Sequence, residues 1–261
     1  MNVGHREFPT RRFEGGAGRD QRESLAEETA VALVYNGHPH AVMMATPVDL
    51  EDFAIGFSLS EDIVSVVADV RVVDRVETEH GISLQMHVPQ AAFDALQSRG
   101  RSLTGRTGCG LCGSDTLAGA IRPVRRVQGL PAVAERLVAA FAGLQANQPL
   151  NARTGAVHAA AVLDAEGRWH VREDVGRHNA IDKAIGAAVR AGAAPRELLV
   201  TSRASYEVVH KAAAVGIGLV AAISAPTAMA VQLAAKAGLT LVGFARDARY
   251  TVYTGLDAFS L

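Results

Sequence analysis

The alternation of apolar and polar positions changes character near residue 128. Before it, Val31–Tyr35 and Ala41–Met44 are short apolar runs flanking Asn36-Gly37. They read as a β-hairpin whose loop runs on through His38-Pro39. Leu50, Phe53, Ala54 and Phe57 recur at helical spacing and predict a core-facing helix. Thr46-Pro47-Val48-Asp49 reads as its start, with Thr46 capping, Pro47 at the first helical position and Asp49 at the third. Val70–Val76 and Ile82–Val88 predict a second hairpin turning at His80-Gly81, and Ala91–Leu96 a short helix. Residues 1–25 are charged, glycine-bearing and aperiodic, which predicts a disordered tail.

Beyond residue 128 strand and helix patterns alternate. Val133–Leu144 is an amphipathic helix pattern, Val157–Leu163 a buried strand turning at Glu166-Gly167 into Trp169–Val171, and His178–Ala191 a helix. Leu198–Val200, Leu219–Ile223 and Leu239–Phe244 read as strands separated by helices over Ser205–Val215 and Thr227–Ala237, with Tyr250–Tyr253 last. Such alternation predicts a mostly parallel sheet covered on both faces. The fold expected is therefore α/β: a C-terminal α/β domain over 129–261 and a smaller N-terminal α+β domain over 26–128, ending in a glycine-rich loop at about 104–114. No internal repeat is visible.

Composition narrows the class. Hydrophobic residues make up 49% and the formal net charge is −1, without the basic excess of a nucleic-acid binder. Thr10-Arg11-Arg12-Phe13 resembles a twin-arginine signal, but no apolar segment follows it. Ala212–Ala235 carries no charge, yet Gly216, Gly218, Ser224, Pro226, Thr227 and Gln232 interrupt it, so a buried strand and helix explain it better than a membrane span. A cytoplasmic protein, with neither nucleic acid nor membrane as partner, is expected.

The only two cysteines, Cys109 and Cys112, stand in Thr107-Gly-Cys-Gly-Leu-Cys-Gly113. Glycines at 105, 108, 110 and 113 disfavour a helix and predict a mobile loop. Arg99, Arg101 and Arg106 precede the pair, and no acid lies between Asp94 and Asp115. Positive surroundings favour thiolate over thiol. A structural disulfide in so short a loop restrains little chain. A zinc site would need further ligands, such as His87, His158 or a second subunit. Redox or sulfur-handling chemistry suits the glycines and arginines best, and spacing alone leaves these readings open.

Other chemistry is sparser. Arg122, Arg125 and Arg126 form a basic cluster, either a solvated edge or an anion site. Polar groups gather at the helix starts of the second half: Glu173, Asp174, Arg177, His178, Asn179, Asp182 and Lys183, then Ser202, Arg203, Ser205, Glu207, His210 and Lys211. In α/β sheets ligands bind where strands end, and helix starts offer N–H groups to phosphate. Helix capping and surface ion pairing explain the same residues. Gly216-Ile-Gly218 is too short for a dinucleotide fingerprint, and no phosphate-loop motif is present. His158-Ala159-Ala160 has Ala160 where a zinc deaminase needs its glutamate, and no cysteine follows, which excludes that chemistry.

Several stretches together resemble the formate dehydrogenase accessory sulfurtransferase family, FdhD. They are Thr46–Phe57, Thr107–Gly113, Thr154–Ala160, Glu173–Lys183, Ser202–Glu207, Ser224–Thr227 and Leu241–Arg246, in the family's order from about residue 27 to 254. Departures are small: Gly108 for a serine, Glu61-Asp62 for Glu-Gly, Gly155-Ala156 for a double glycine. The resemblance implies a C-terminal domain of cytidine-deaminase-like three-layer fold and a homodimer. It also implies a sulfur carrier that takes persulfide sulfur from a cysteine desulfurase. The sulfur passes to the molybdenum (or tungsten) bis-pterin guanine dinucleotide cofactor, bound as substrate, before apo formate dehydrogenase becomes active. By resemblance Cys109 is the carrier and Cys112 resolves or relays. Phe244, Ala245, Arg246, Asp247, Ala248 and Arg249 match the guanine-nucleotide site, where GDP would bind as a fragment: Phe244 against the purine, Arg246 and Arg249 on phosphate, Asp247 on guanine N–H groups, with His178 and Arg203 as neighbours. No permanently bound metal is implied. The rivals are a cofactor-binding chaperone with structural zinc at the cysteine pair, and a thiol–disulfide oxidoreductase.

Overall fold

The structure, a computed structural model, describes residues 4–100, 122–246 and 249–256. The chain opens with an antiparallel ribbon of β1 (His5–Glu14) and β2 (Ala17–Ala26), where the sequence predicted a disordered tail. Gly15 and Gly16, at φ 56° and 86°, make the turn. The ribbon is solvated on both faces, so it has no apolar alternation to betray it. Its root is tied by the bond from Glu27 N–H to Gly4 O (2.8 Å) and the Arg6–Glu27 ion pair (2.7 Å).

A four-stranded sheet follows, in the order β4-β3-β6-β5, from β3 (Thr29–Tyr35), β4 (His38–Ala45), β5 (Arg71–Thr78) and β6 (Gly81–His87). The first hairpin turns on Asn36 and Gly37 alone, both at positive φ, so His38-Pro39 belongs to the strand and not the loop. Pro39 is tolerated because β4 is an edge. Val31, Leu33, Tyr35, Ile82, Leu84 and Met86 bury one face of this sheet under α1 (Leu50–Ser60) and α2 (Gln90–Gly100). Helix α1 begins three residues later than the Thr46 cap predicts. Asp49 sits in the left-handed region (φ 53°), and the groups of Thr46 are used elsewhere, as described below.

The second unit is built on a six-stranded sheet, β12-β11-β10-β9-β7-β8. Its strands are β7 (His158–Asp164), β8 (Trp169–Asp174), β9 (Pro195–Val200), β10 (Leu219–Ala222), β11 (Thr240–Arg246) and β12 (Arg249–Thr254). The β9–β10 and β10–β11 pairs are parallel, whereas the β7–β8, β7–β9 and β11–β12 pairs are antiparallel, with hairpins joining β7 to β8 and β11 to β12. Alternate strand residues feed two cores. Leu198, Val200 and Val220 pack under α5 (Arg177–Arg190), α6 (Tyr206–Ala214) and α7 (Ala228–Ala237), while Leu199, Leu219 and Val242 pack under α3 (Ala134–Ala146). The result is three layers. The short α4 (Pro149–Thr154) links α3 to β7. The uncharged stretch Ala212–Ala235 is the end of α6, strand β10 and most of α7. Among the described residues no helix is long and apolar enough to cross a membrane.

Val124 and Val127 pack on the core of the second unit, and Val127 N–H donates to Ala237 O (2.8 Å). The units meet through α1 and α5 at backbone contact. A Cβ on Gly56 would lie 1.7 Å from Asp182 O, and one on Gly186 would lie 1.9 Å from Asp52 O.

Candidate functional site

The α1–α5 contact carries a buried polar network. Lys183 Nζ lies 2.7 Å from Asp174 Oδ2, both side chains being 0% exposed, and it donates to Thr46 O at 2.8 Å. Asp174 also accepts from Thr46 N–H, Gly176 N–H and Asn179 Nδ2, and Val175 N–H donates to Thr46 Oγ1. Thr46 therefore stitches the first unit to the start of α5, which is why it caps nothing. One turn on, Lys211 Nζ donates to both oxygens of Asp182 (2.8 and 2.9 Å) and pairs with Glu61 Oε1 (2.8 Å); Ser60 Oγ is 3.0 Å away. Burial alone would raise the Glu61 carboxyl, but Lys211 and Arg122 override it and hold it at about 2. Burial pushes Asp182 up to about 6 against the pull of Lys211 and Ser60.

Both flanks of the cysteine-bearing stretch tie back to this corner. Arg99 donates to Asp62 O (2.8 Å), and Arg122 donates to Glu61 Oε2 (2.8 Å) while its N–H reaches Tyr206 Oη (2.8 Å). The basic residue Arg122 is thus a structural ion-pair partner and not a solvated edge. Cys109 and Cys112 themselves lie outside the described residues.

Of the polar groups that the sequence singled out, α5 and α6 bring His178 beside Glu207 and Asp182 beside Lys211, while His210 stacks on Tyr206. Glu173 instead caps α4, accepting from Leu150 and Asn151 N–H groups (2.9 and 2.8 Å). His178 is buried with Nε2 unpartnered, 4.0 Å from Glu207 Oε2. Burial, with the Lys211 and Arg177 charges beside it, lowers its pKa from 6.5 to about 4. Between those pH values the unfolded chain binds a proton there that the folded chain does not, so this group's contribution to stability is full above pH 6.5 and falls on acidification until about pH 4. His178→Asn is expected to remove up to one proton's worth of slope, about 1.4 kcal/mol per pH unit, from urea-unfolding stability measured across that window. An unchanged slope would mean that His178 titrates alike in both states.

The strand ends hold a second feature, a cleft of about 390 Å³ between α3 and the β11–β12 hairpin. Phe141 and Val138 on α3 and Ile223 and Ala245 from the sheet line it, and Arg246, Arg249 and Tyr250 contribute from the hairpin. Arg246 and Arg249 are register partners across the hairpin. Both are exposed, and among the described residues neither has an acidic partner. Like charges placed directly opposite repel. Phe244 is not among the lining residues. The ladder shifts register between Gly243 and Arg246, and Phe244 sits there at φ 53°, exposed, its N–H donating to Ser224 O. Asp247 and Ala248 lie outside the described residues, and neither His178 nor Arg203 lines the cleft. Sequence reading missed Thr46 as a bridge and Phe141 as a cleft wall. Phe141 shows only as one apolar position of an amphipathic helix.

Comparison with known proteins gives a consistent picture. The sulfur carrier protein FdhD of Cupriavidus necator is 51% identical over 255 residues, covering 95% of this chain and 88% of its own. The protein of the same name from Xanthomonas euvesicatoria is 52% identical over 248 residues, covering 94% and 88%. A Desulfotalea psychrophila protein described as a formate dehydrogenase accessory protein has a crystal structure that superposes with a TM-score of 0.73, covering 98% of this chain and 99% of that one. At 22% identity that likeness speaks to the fold. With the FdhD/NarQ family model matching residues 26–259, the chain belongs to the FdhD/NarQ family.

Proposed function

We propose that this protein is a sulfur carrier for formate dehydrogenase maturation, accepting persulfide sulfur from a cysteine desulfurase and delivering it to the molybdenum or tungsten bis-pterin guanine dinucleotide cofactor as substrate. The observation that best supports this reading is the anion-ready pair Arg246 and Arg249 at an apolar cleft. A cofactor that ends in guanine nucleotides presents a flat base and a diphosphate, and the cleft offers apolar walls and two forked cations. The three-layer second unit is in keeping with a cytidine-deaminase-like architecture whose zinc chemistry this sequence lacks, since Ala160 stands where the glutamate is needed.

In this reading the Cys109 thiolate attacks the outer sulfur of the donor persulfide. A new S–S bond forms on Cys109 as the donor S–S bond breaks, and the donor cysteine leaves as thiolate. The Cys112 thiolate then attacks the inner sulfur. The Cys109–Cys112 disulfide that forms releases the outer sulfur as sulfide at the acceptor, the two thiols having supplied both electrons, and a cellular dithiol restores the pair. Arg99, Arg101 and Arg106 near the pair favour the thiolate forms.

The test is incubation with a cysteine desulfurase and cysteine, followed by peptide mass spectrometry without reductant. The wild-type protein should gain the mass of one sulfur atom on the peptide carrying Cys109, and Cys109→Ala should gain none. Sulfur accepted and delivered by Cys109→Ala would end the proposal.

A further inference from the structure

We infer that the base of a bound purine nucleotide rests on Phe141 of α3, between that helix and Tyr250, and not on Phe244. The inference deepens the sulfur-carrier reading, on which the identity of the ligand rests. Three observations carry it. The cleft beside Arg246 and Arg249 is lined by Phe141 and Tyr250, and its volume of about 390 Å³ lies in the range of small-molecule sites. Phe141 is only half-buried and packs against the core beneath α3, as does Tyr250. Phe244, although two residues from Arg246, leaves the strand ladder at its irregularity with positive φ and does not line the cleft.

Charge complementarity commits the occupant to an anionic nucleotide. Arg246 and Arg249 face each other at the hairpin without an acidic partner among the described residues, and a diphosphate bridging them removes their mutual repulsion. A base attached to that diphosphate then has the apolar slot of Phe141, Val138 and Ile223 beside it. Gln145 lies one helical turn from Phe141, lines the same cleft, and brings an amide to the edge of the base.

The probe is GDP, measured by calorimetry on the full chain. Stacking of a base on an aromatic ring makes Phe141→Ala expected to weaken GDP by roughly tenfold or more, while Phe244→Ala stays within about twofold of wild type. Because Phe141 touches the core, Phe141→Leu is measured alongside; it keeps the packing, loses the aromatic face, and should weaken GDP similarly. In the wild-type protein, nuclear Overhauser contacts should link guanine H8 to the Phe141 ring, a readout that folding defects cannot mimic. If GDP binds wild type and all three variants equally, or if H8 contacts Phe244, the assignment of Phe141 is overturned while the sulfur-carrier reading stands. If GDP fails to bind the wild-type protein at all, the nucleotide reading of the cleft falls, and this inference with it. Persulfide loading on Cys109 separates the two failures, since it does not need the cleft.

Discussion

Replacing Lys183 with alanine should cost about 3–5 kcal/mol of folding stability, enough to threaten a domain whose total is typically about 5–15 kcal/mol. The ammonium is 0% exposed and its partner Asp174 is equally buried, so deletion leaves a carboxylate sealed from water with its main counter-charge gone. The loss is not confined to one pair. Lys183 also donates to Thr46 O, and Asp174 accepts from Thr46 N–H, so the first unit loses its attachment to the start of α5 as the charge balance fails. Lys183→Met should be nearly as damaging, because it restores volume without the charge. Adding Asp174→Asn to that variant should recover part of the loss, since the uncompensated charge is gone while the side chain keeps an oxygen for Gly176 N–H. Urea unfolding followed by circular dichroism measures all three. A change below about 1 kcal/mol for Lys183→Ala would show that the pair is solvated in the folded protein, contrary to its burial.

The second large effect is expected at Gly56. Helix propensity alone says that alanine in place of a helical glycine stabilises by up to about 1 kcal/mol. The packing says the opposite. The added Cβ would sit 1.7 Å from Asp182 O, a backbone atom of α5 that cannot rotate aside. The two helices must move apart, which opens the core beneath α1 and pulls Asp182 away from Ser60, to which it is bonded at 2.6 Å. A loss of about 3 kcal/mol or more is expected. Gly143, in α3, is the internal control: its Cβ would meet nothing within 4 Å, so Gly143→Ala should be neutral or stabilising by up to about 1 kcal/mol. In thermal or urea melts Gly56→Ala should fall while Gly143→Ala holds or rises. Equal shifts would show that α1 and α5 are not in backbone contact.

Much of the architecture was legible along the chain because its signals are local. The Asn36-Gly37 turn, the period of Leu50, Phe53 and Phe57, and the glycines ending α6 and α7 each act within a few residues, and the strands and helices of the second half fall within a few residues of their predicted places. The β1–β2 ribbon escaped notice for the same reason in reverse, since a ribbon wetted on both faces leaves no alternation to read. Strand direction also escaped: β7 and β8 carry the same apolar pattern as the parallel strands, and only the hairpin joining them, with β7 set beside β9, makes that edge antiparallel.

The site divides along the same line. By itself the sequence determined the candidate chemistry: a single Cys-x-x-Cys in a basic, glycine-rich stretch, and two arginines beside a strand end. Ionisation tendencies and turn preferences belong to residue types and near neighbours, so they survive without a fold. Only the tertiary structure decided that Thr46 bridges units instead of capping α1, and that Lys183 and Lys211 are buried counter-ions and not surface charges. It likewise brought Phe141, more than a hundred positions before Arg249, to the cleft those arginines border. These roles depend on which distant backbone and charge each side chain meets. Burial, more than residue type, sets the cost of leaving such a group unpaired.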